Sequence, residues 1–253
     1  MTLIPPLVED ALTEDAFLGG RLRLHQPADG YRAAIDPVLL AAAVPAVPDE
    51  AVVDLGCGVA TAGLCLLTRV PGIRVTGLEL QPWLVELARR NAGLNACEER
   101  FRVFTGDVAA PPPSLAAGVF DHVMLNPPYL EPGTARASTN ELRRIATVEG
   151  AAGLGTWLAC ALSVLRPRGS ITVIHRADRL HKILGLLSES CGDVAVCPLW
   201  PRGGEGAKRI LVQALKGSGG PLRVLPGLAL HDAQGCFTPQ AEAILRDARG
   251  LDL

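Results

Sequence analysis

No uncharged apolar run reaches the roughly eighteen residues that a membrane-spanning helix needs. The N-terminus also lacks a basic start leading into an apolar stretch, so the sequence predicts neither a membrane span nor a cleaved secretory signal. Aromatic residues make up only 4 % of the chain, which leaves Ala, Leu, Val and Gly to build the core, as in helices packed on a buried sheet. The seven cysteines (Cys57, Cys65, Cys97, Cys160, Cys191, Cys197 and Cys236) are odd in number and contain no C-x-x-C pair. The histidines do not join them at zinc spacing. Reduced thiols in a cytoplasmic protein without a metal are therefore expected. Two phosphate-binding signatures are missing as well. The glycine turn at 56–58 has Thr61 where a dinucleotide fingerprint needs its third glycine, and no Gly-Lys-Ser/Thr follows to make a P-loop.

Net charge is −2, which by itself does not announce a nucleic-acid binder, but it is unevenly spread. Residues 1–125 carry 9 basic against 15 acidic side chains, whereas residues 126–217 carry 12 against 7.

What is present is a regular alternation. Asp36 is placed as an N-cap with Pro37 at the first helical position, after a strand-like "GGRLRLHQP". "AVVDLGCG" reads as a buried strand entering a glycine turn, followed by a helix; "IRVTGLEL" is a second strand, followed by an amphipathic helix. "FRVFTGD" (101–107) and "FDHVMLN" (120–126) are the next strands, and a polar loop spans 129–149. A helix, a strand ("GSITVIHR"), another helix and two last strands follow, then a break at "KGSGGP" and a short tail helix. Strands separated by helices of this length imply right-handed crossovers and an α/β fold with a mostly parallel sheet. Its ligands belong at the carboxyl ends of the strands. The expected division is an N-terminal extension over 1–48, a main domain over 49–217 and a tail over 218–253 packed on it.

Chemistry collects at those carboxyl ends. Gly56 and Gly58 let backbone approach a ligand closely. Glu79, closing the second strand, can accept both hydroxyls of a ribose. Asp107 can accept from an adenine amine, and Asp54 can help to hold a cationic amino group. Three carboxylates repel a pyrophosphate but suit a cationic sulfonium nucleoside, which makes S-adenosylmethionine the expected cofactor. The fourth strand ends in Asn126-Pro127-Pro128-Tyr129. An amide or adenine nitrogen is a poor nucleophile, and it needs acceptors for its N–H groups. Asn126 offers a side-chain carbonyl and Pro127 a backbone one, proline removes competing N–H donors, and Tyr129 offers a face for stacking.

"VVDLGCGVAT", "GLELQP", "TGDV" and "LNPPY" together resemble, in order and spacing, the class I S-adenosylmethionine-dependent methyltransferases over roughly residues 50–215. The resemblance implies a seven-stranded, Rossmann-like sheet with helices on both faces and its last strand antiparallel. It assigns Asp54, Gly56, Gly58, Glu79 and Asp107 to the cofactor, together with their motif neighbours Cys57, Leu80 and Val108 and with Asn126. Ala60 stands where many members have another glycine. Catalysis falls to Asn126, Pro127, Pro128 and Tyr129. The flanks, "QPADGYRAAIDPVLLAA", "NPPYLEPGTARAS" and residues 207–246, resemble the bacterial valine-tRNA N6-adenine methyltransferase family. That likeness implies a tRNA partner, and it puts Arg32 and Asp36 near the methionine end of the cofactor or the target base. Arg136, Arg143, Arg144, Arg202, Lys208 and Arg209 then become candidates to track a phosphate backbone. Protein glutamine N5-methylation is the alternative reaction, and a catalytically silent RNA-binding scaffold the alternative of another class.

Overall fold

The computed structural model describes residues 12–28, 32–115, 117–129 and 152–253. The chain opens with an antiparallel hairpin, β1 (Leu12–Phe17) and β2 (Leu22–Pro27). Helix α1 (Asp36–Ala43) leads to β3 (Ala51–Leu55), α2 (Thr61–Arg69), β4 (Arg74–Glu79), α3 (Pro82–Leu94), β5 (Phe101–Thr105) and β6 (Phe120–Leu125). Then come α4 (Leu154–Val164), β7 (Leu165–Arg176), α5 (Leu180–Leu187), β8 (Cys191–Arg202) and β9 (Arg209–Lys216). The end of the chain holds β10 (Arg223–Val224), β11 (Leu228–His231) and α6 (Pro239–Asp247).

The main sheet runs β10-β8-β9-β7-β6-β3-β4-β5, with β11 also beside β8. Strands β3 to β7 are parallel, and β9 lies antiparallel between β7 and β8. The seven expected strands are β3 to β9. The two extra ones arise because the chain after the glycine-rich break at 217–220 returns along β8 and pairs with its free edge. Sequence order reverses between β3 and β6, which makes the crevice between their ends the place for a ligand.

Alternation along each strand splits the core in two. Val52 faces the layer of α1, α2, α3 and α6, in a cluster with Leu39, Leu64 and Ile244; Val53 and Leu55 face α4 and α5, with Leu158 and Ile183. The hairpin is stitched onto α3 by Asn91, whose Oδ1 accepts from His25 N–H at 2.8 Å while its Nδ2 donates to the His25 and Val59 carbonyls at 3.0 Å.

Two local expectations change. Helix α1 starts one residue earlier, with Ile35 in the cap position, so Asp36 makes no capping bond; its carboxylate instead pairs with Arg209 Nε at 3.0 Å. Strand β5 ends at Thr105, not at 107, because the Asp107 side chain accepts the Ala109 N–H at 2.8 Å and turns the chain. No helix among the described residues is long and apolar enough to cross a membrane.

Candidate active site

The glycine turn after β3 is held by β4. Gly56 and Cys57 both donate to the Leu78 carbonyl, at 2.8 and 3.1 Å, and Gly58 donates to Glu79 Oε2 at 3.0 Å. Glu79 Oε1 accepts the Gln81 N–H at 2.9 Å, so one carboxylate ties the turn to the start of α3. Gly56 has φ +69°, and a Cβ there would lie 2.5 Å from the Trp157 ring of α4. Gly58 has φ +55°, yet a Cβ there would meet nothing within 4 Å among the described residues. The backbone at Gly58 therefore faces open space that a ligand can occupy, with Trp157 walling the neighbouring residue.

Asp54 lies beneath this turn, 3 % exposed, and its Oδ2 accepts the Gly63 N–H of α2 at 3.2 Å. Burial pushes its carboxyl up to about 7; the Gly63 bond opposes that shift and the charge of Glu79 adds to it. Glu79 is likewise raised by burial, against the bonds it receives from Gln81, Gly58 and Leu80. Among the described residues, no lysine or arginine forms an ion pair with either acid. Two buried carboxylates with only backbone partners leave an uncompensated negative field, which a cationic ligand relieves. That field and the open backbone at Gly58 fit a sulfonium nucleoside. Cys57 and Val108 are buried at the same edge, Leu80 is exposed, and Asp107 is half-buried in its turn.

Leu55 pairs with Leu125 in register, which sets Asn126 abreast of Gly56 across the crevice. Asn126 Oδ1 is buried and meets no hydrogen-bond partner among the described residues. Pro127 is buried behind it; Pro128 and Tyr129 are half-buried. The Tyr129 ring meets the His175 ring at 87° with centroids 5.8 Å apart, and the Arg209 guanidinium carbon lies 5.1 Å from the tyrosine centroid. Since β9 is antiparallel, its first residue Arg209 sits opposite Arg176 at the end of β7, on the same sheet edge as Asn126.

Some proposed substrate contacts take other partners. Arg209 is engaged with Asp36 and Tyr129 and is not presented as an open phosphate contact, and Arg32, expected near the methionine end of the cofactor or the target base, pairs with Asp15 of the hairpin at 2.6 Å. Lys208 is exposed. Arg136, Arg143 and Arg144 lie outside the described residues. Sequence reasoning missed Trp157 and His175. The histidine carried a usable signal, for it is a polar ring closing an apolar strand, as Asn126 is a polar amide closing another. Trp157 carried none, being indistinguishable from a core residue on its helix. No group of three metal-ligating side chains occurs among the described residues.

Comparison with known proteins accords with this arrangement. A tRNA1(Val) (adenine(37)-N6)-methyltransferase of Yersinia pseudotuberculosis is 28 % identical over 222 residues, covering 84 % of this chain and 83 % of that protein. A release factor glutamine methyltransferase of Chlorobaculum tepidum is also 28 % identical, over 165 residues, but there the match covers 62 % of this chain and only 56 % of the relative. The crystal structure of a predicted O-methyltransferase from Agrobacterium tumefaciens superposes with a TM-score of 0.72 at 27 % identity, over 86 % of this chain and 99 % of that one. The family described as the methyltransferase small domain matches residues 34–197, well over half of the sequence and the whole stretch that carries the glycine turn, the buried acids and Asn126; the chain belongs to that family.

Proposed function

We propose that this methyltransferase transfers a methyl group from S-adenosylmethionine to an exocyclic amine, N6 of an adenine in tRNA. The observation that carries the reading is the buried, unpartnered Oδ1 of Asn126, set abreast of the glycine turn and followed by two residues without N–H donors. A buried acceptor left empty costs free energy unless a ligand donor fills it.

When bound, S-adenosylmethionine supplies an electrophilic methyl group on a sulfonium. Asn126 Oδ1 accepts one N–H of the amine and the Pro127 carbonyl accepts the other, which turns the nitrogen lone pair toward the methyl. Tyr129 lies along the planar acceptor with one face already occupied by Arg209. Rate enhancement comes from this positioning and from fixed dipoles. As the nitrogen–methyl bond formed, the methyl–sulfur bond would break and S-adenosylhomocysteine would leave; the nitrogen would then give its proton to solvent, so no side chain is assigned as general base. Gly58 would allow the nucleoside its close approach, Glu79 would hold the ribose hydroxyls, and Asp54 would set the negative field beneath the turn.

The tRNA assignment is supported by the longer reach of the likeness to the Yersinia protein, which spans most of both chains. The glutamine-amide reading rests on the Chlorobaculum relative at equal identity. Incubation with radiolabelled S-adenosylmethionine and, separately, total tRNA, total rRNA and a protein lysate distinguishes them. N6-methyladenosine released from tRNA is the expected product; methylglutamine in protein would replace the proposal with its rival. Failure to bind the cofactor in calorimetry would leave only the silent scaffold.

A further inference from the structure

His175 has no role in the reaction so far, yet it is fully buried at the catalytic edge. Strand β7 lies beside β6 with Val173 level with Leu125, so His175 comes level with Pro127, two places further along. Its Nδ1 accepts the Arg176 N–H at 2.9 Å, which fixes the tautomer and leaves the proton on Nε2. That Nε2 is buried without a well-formed hydrogen bond among the described residues, although the Pro128 carbonyl lies beside the ring and favours its protonated form. One edge of the arrangement is the Tyr129 ring, nearly perpendicular to the imidazole. Tyr129 is in turn covered by Arg209, which Asp36 holds at 3.0 Å. His175 of β7 and Arg209 of β9 touch the tyrosine directly and Asp36 of α1 holds the arginine, so three separate elements brace the one ring that follows β6.

Such convergence is more than packing needs. A ring that only filled space at the end of β7 would be cheaper as Leu or Phe, because a buried N–H without a good acceptor is destabilising. We propose that His175 is a positioning residue for methyl transfer: its neutral ring fixes the plane of Tyr129 and the direction of the Pro128 carbonyl, while the Arg209–Asp36 pair braces the tyrosine. The proposal rests on the reading that Asn126-Pro127-Pro128-Tyr129 handles the acceptor amine. The ring must stay neutral to do this. Burial, aided by the Arg179 and Arg209 charges and opposed by Asp178 and the Pro128 carbonyl, lowers its pKa to about 4. A protonated ring would add a third cation beside Arg179 and Arg209.

The sequence contains only two tyrosines, Tyr31 and Tyr129, which makes the device directly observable. Protein labelled with 3-fluorotyrosine gives two fluorine resonances, and Tyr31→Phe assigns them. His175→Leu and Arg209→Gln are each expected to shift or broaden the Tyr129 resonance and leave that of Tyr31 in place. With total tRNA as acceptor, His175→Leu should lower kcat by about 10- to 100-fold through misplacement of the reacting groups. Calorimetric affinity for S-adenosylhomocysteine should stay within about twofold of the wild type, since the cofactor contacts are untouched. His175→Gln, neutral and with an N–H near the position of Nε2, should recover part of the lost kcat. A merely structural histidine would give parallel losses of stability, affinity and kcat, with no rescue by glutamine. If Asn126→Ala abolishes transfer but His175→Leu and Arg209→Gln leave both kcat and the Tyr129 resonance unmoved, the positioning role is wrong and the reading of the acceptor pocket stands. If Asn126→Ala itself leaves turnover intact, the underlying reading fails first. Arg209 is partly exposed, so its variant reports on the brace even where a His175 variant does not fold.

Discussion

Asp54 and the Oδ1 atom of Asn126 are both buried at the ends of adjacent strands, but they differ in what satisfies them. Asp54 has a backbone partner in Gly63, while Asn126 Oδ1 has none among the described residues. Asn126→Ala therefore removes an acceptor that the protein's own fold does not use. Stability should change little, cofactor affinity should hold, and kcat should fall by about 10²- to 10³-fold, the scale of losing one preorganised transition-state contact. Rapid-quench transfer assays beside calorimetry check both halves. Asp54 behaves in the opposite sense. Its folded pKa of about 7 exceeds the ordinary 3.8, so between those values the folded state keeps a proton that the unfolded state has lost. Stability of the ligand-free protein then falls as pH rises through that window, by up to about 1.4 kcal/mol per pH unit, and the penalty is complete above it. Asp54→Asn should flatten this decline, making the ligand-free variant relatively more stable at pH 8 than at pH 5 in thermal melts. The same change should weaken S-adenosylmethionine binding, because one of the two carboxylates that favour a cation is gone and only Glu79 remains.

At the scale of elements, the two glycines of the turn after β3 separate folding from binding. Gly56→Ala forces a positive φ on a residue with a side chain and drives its Cβ into Trp157. Destabilisation of about 2–5 kcal/mol is expected from strain and overpacking together, seen as a lowered urea midpoint. Gly58→Ala meets no atom and should cost only about 1 kcal/mol, yet it places a methyl where the ligand approaches, so its loss should appear in cofactor affinity. Ala60 shows that the turn tolerates such strain, for it holds φ +72° while fully buried. This turn and the strands around it were readable from sequence because glycine, acid and apolar run sit within one short segment. The brace around Tyr129 was not. Asp36 read as a helix cap and Arg209 as a phosphate contact, and only the antiparallel insertion of β9 brings residues 173 positions apart into contact. Strand pairing at that separation leaves no local mark. The tail strands were hidden for a related reason, since β10 has two residues and no pattern of its own.

For the molecule as a whole, the C-terminal segment and the uneven charge bear on folding and on substrate. We propose that residues 218–253 belong to the folding unit. Leu228 and Ile244 are buried in the same cluster as Leu39 and Leu64, and Leu251 N–H donates to the Ala42 carbonyl at 2.8 Å. Losing two such side chains alone removes about 3–6 kcal/mol, comparable with the whole stability of a typical domain, so a chain ending at 217 should lack a cooperative unfolding transition. The stretch from 126 to 217 carries 12 basic against 7 acidic residues. Within it, exposed Lys208 and Arg202 line a cleft of about 300 Å³ with His231 of β11 and Glu205, so the tail also completes a surface beside the catalytic edge. If tRNA phosphates lie along that surface, affinity falls with salt because bound counterions are released, and the slope counts the contacts. Lys208→Gln should weaken binding of any tRNA alike and reduce the log–log salt slope by about 1, without changing kcat at saturation. Arg209→Gln should do the reverse, lowering kcat with little change in slope, because its charge is already spent on Asp36 and Tyr129. Filter-binding titrations at several salt concentrations, read beside turnover, decide the pair. Equal slopes for wild type and Lys208→Gln would remove the cleft from the substrate path.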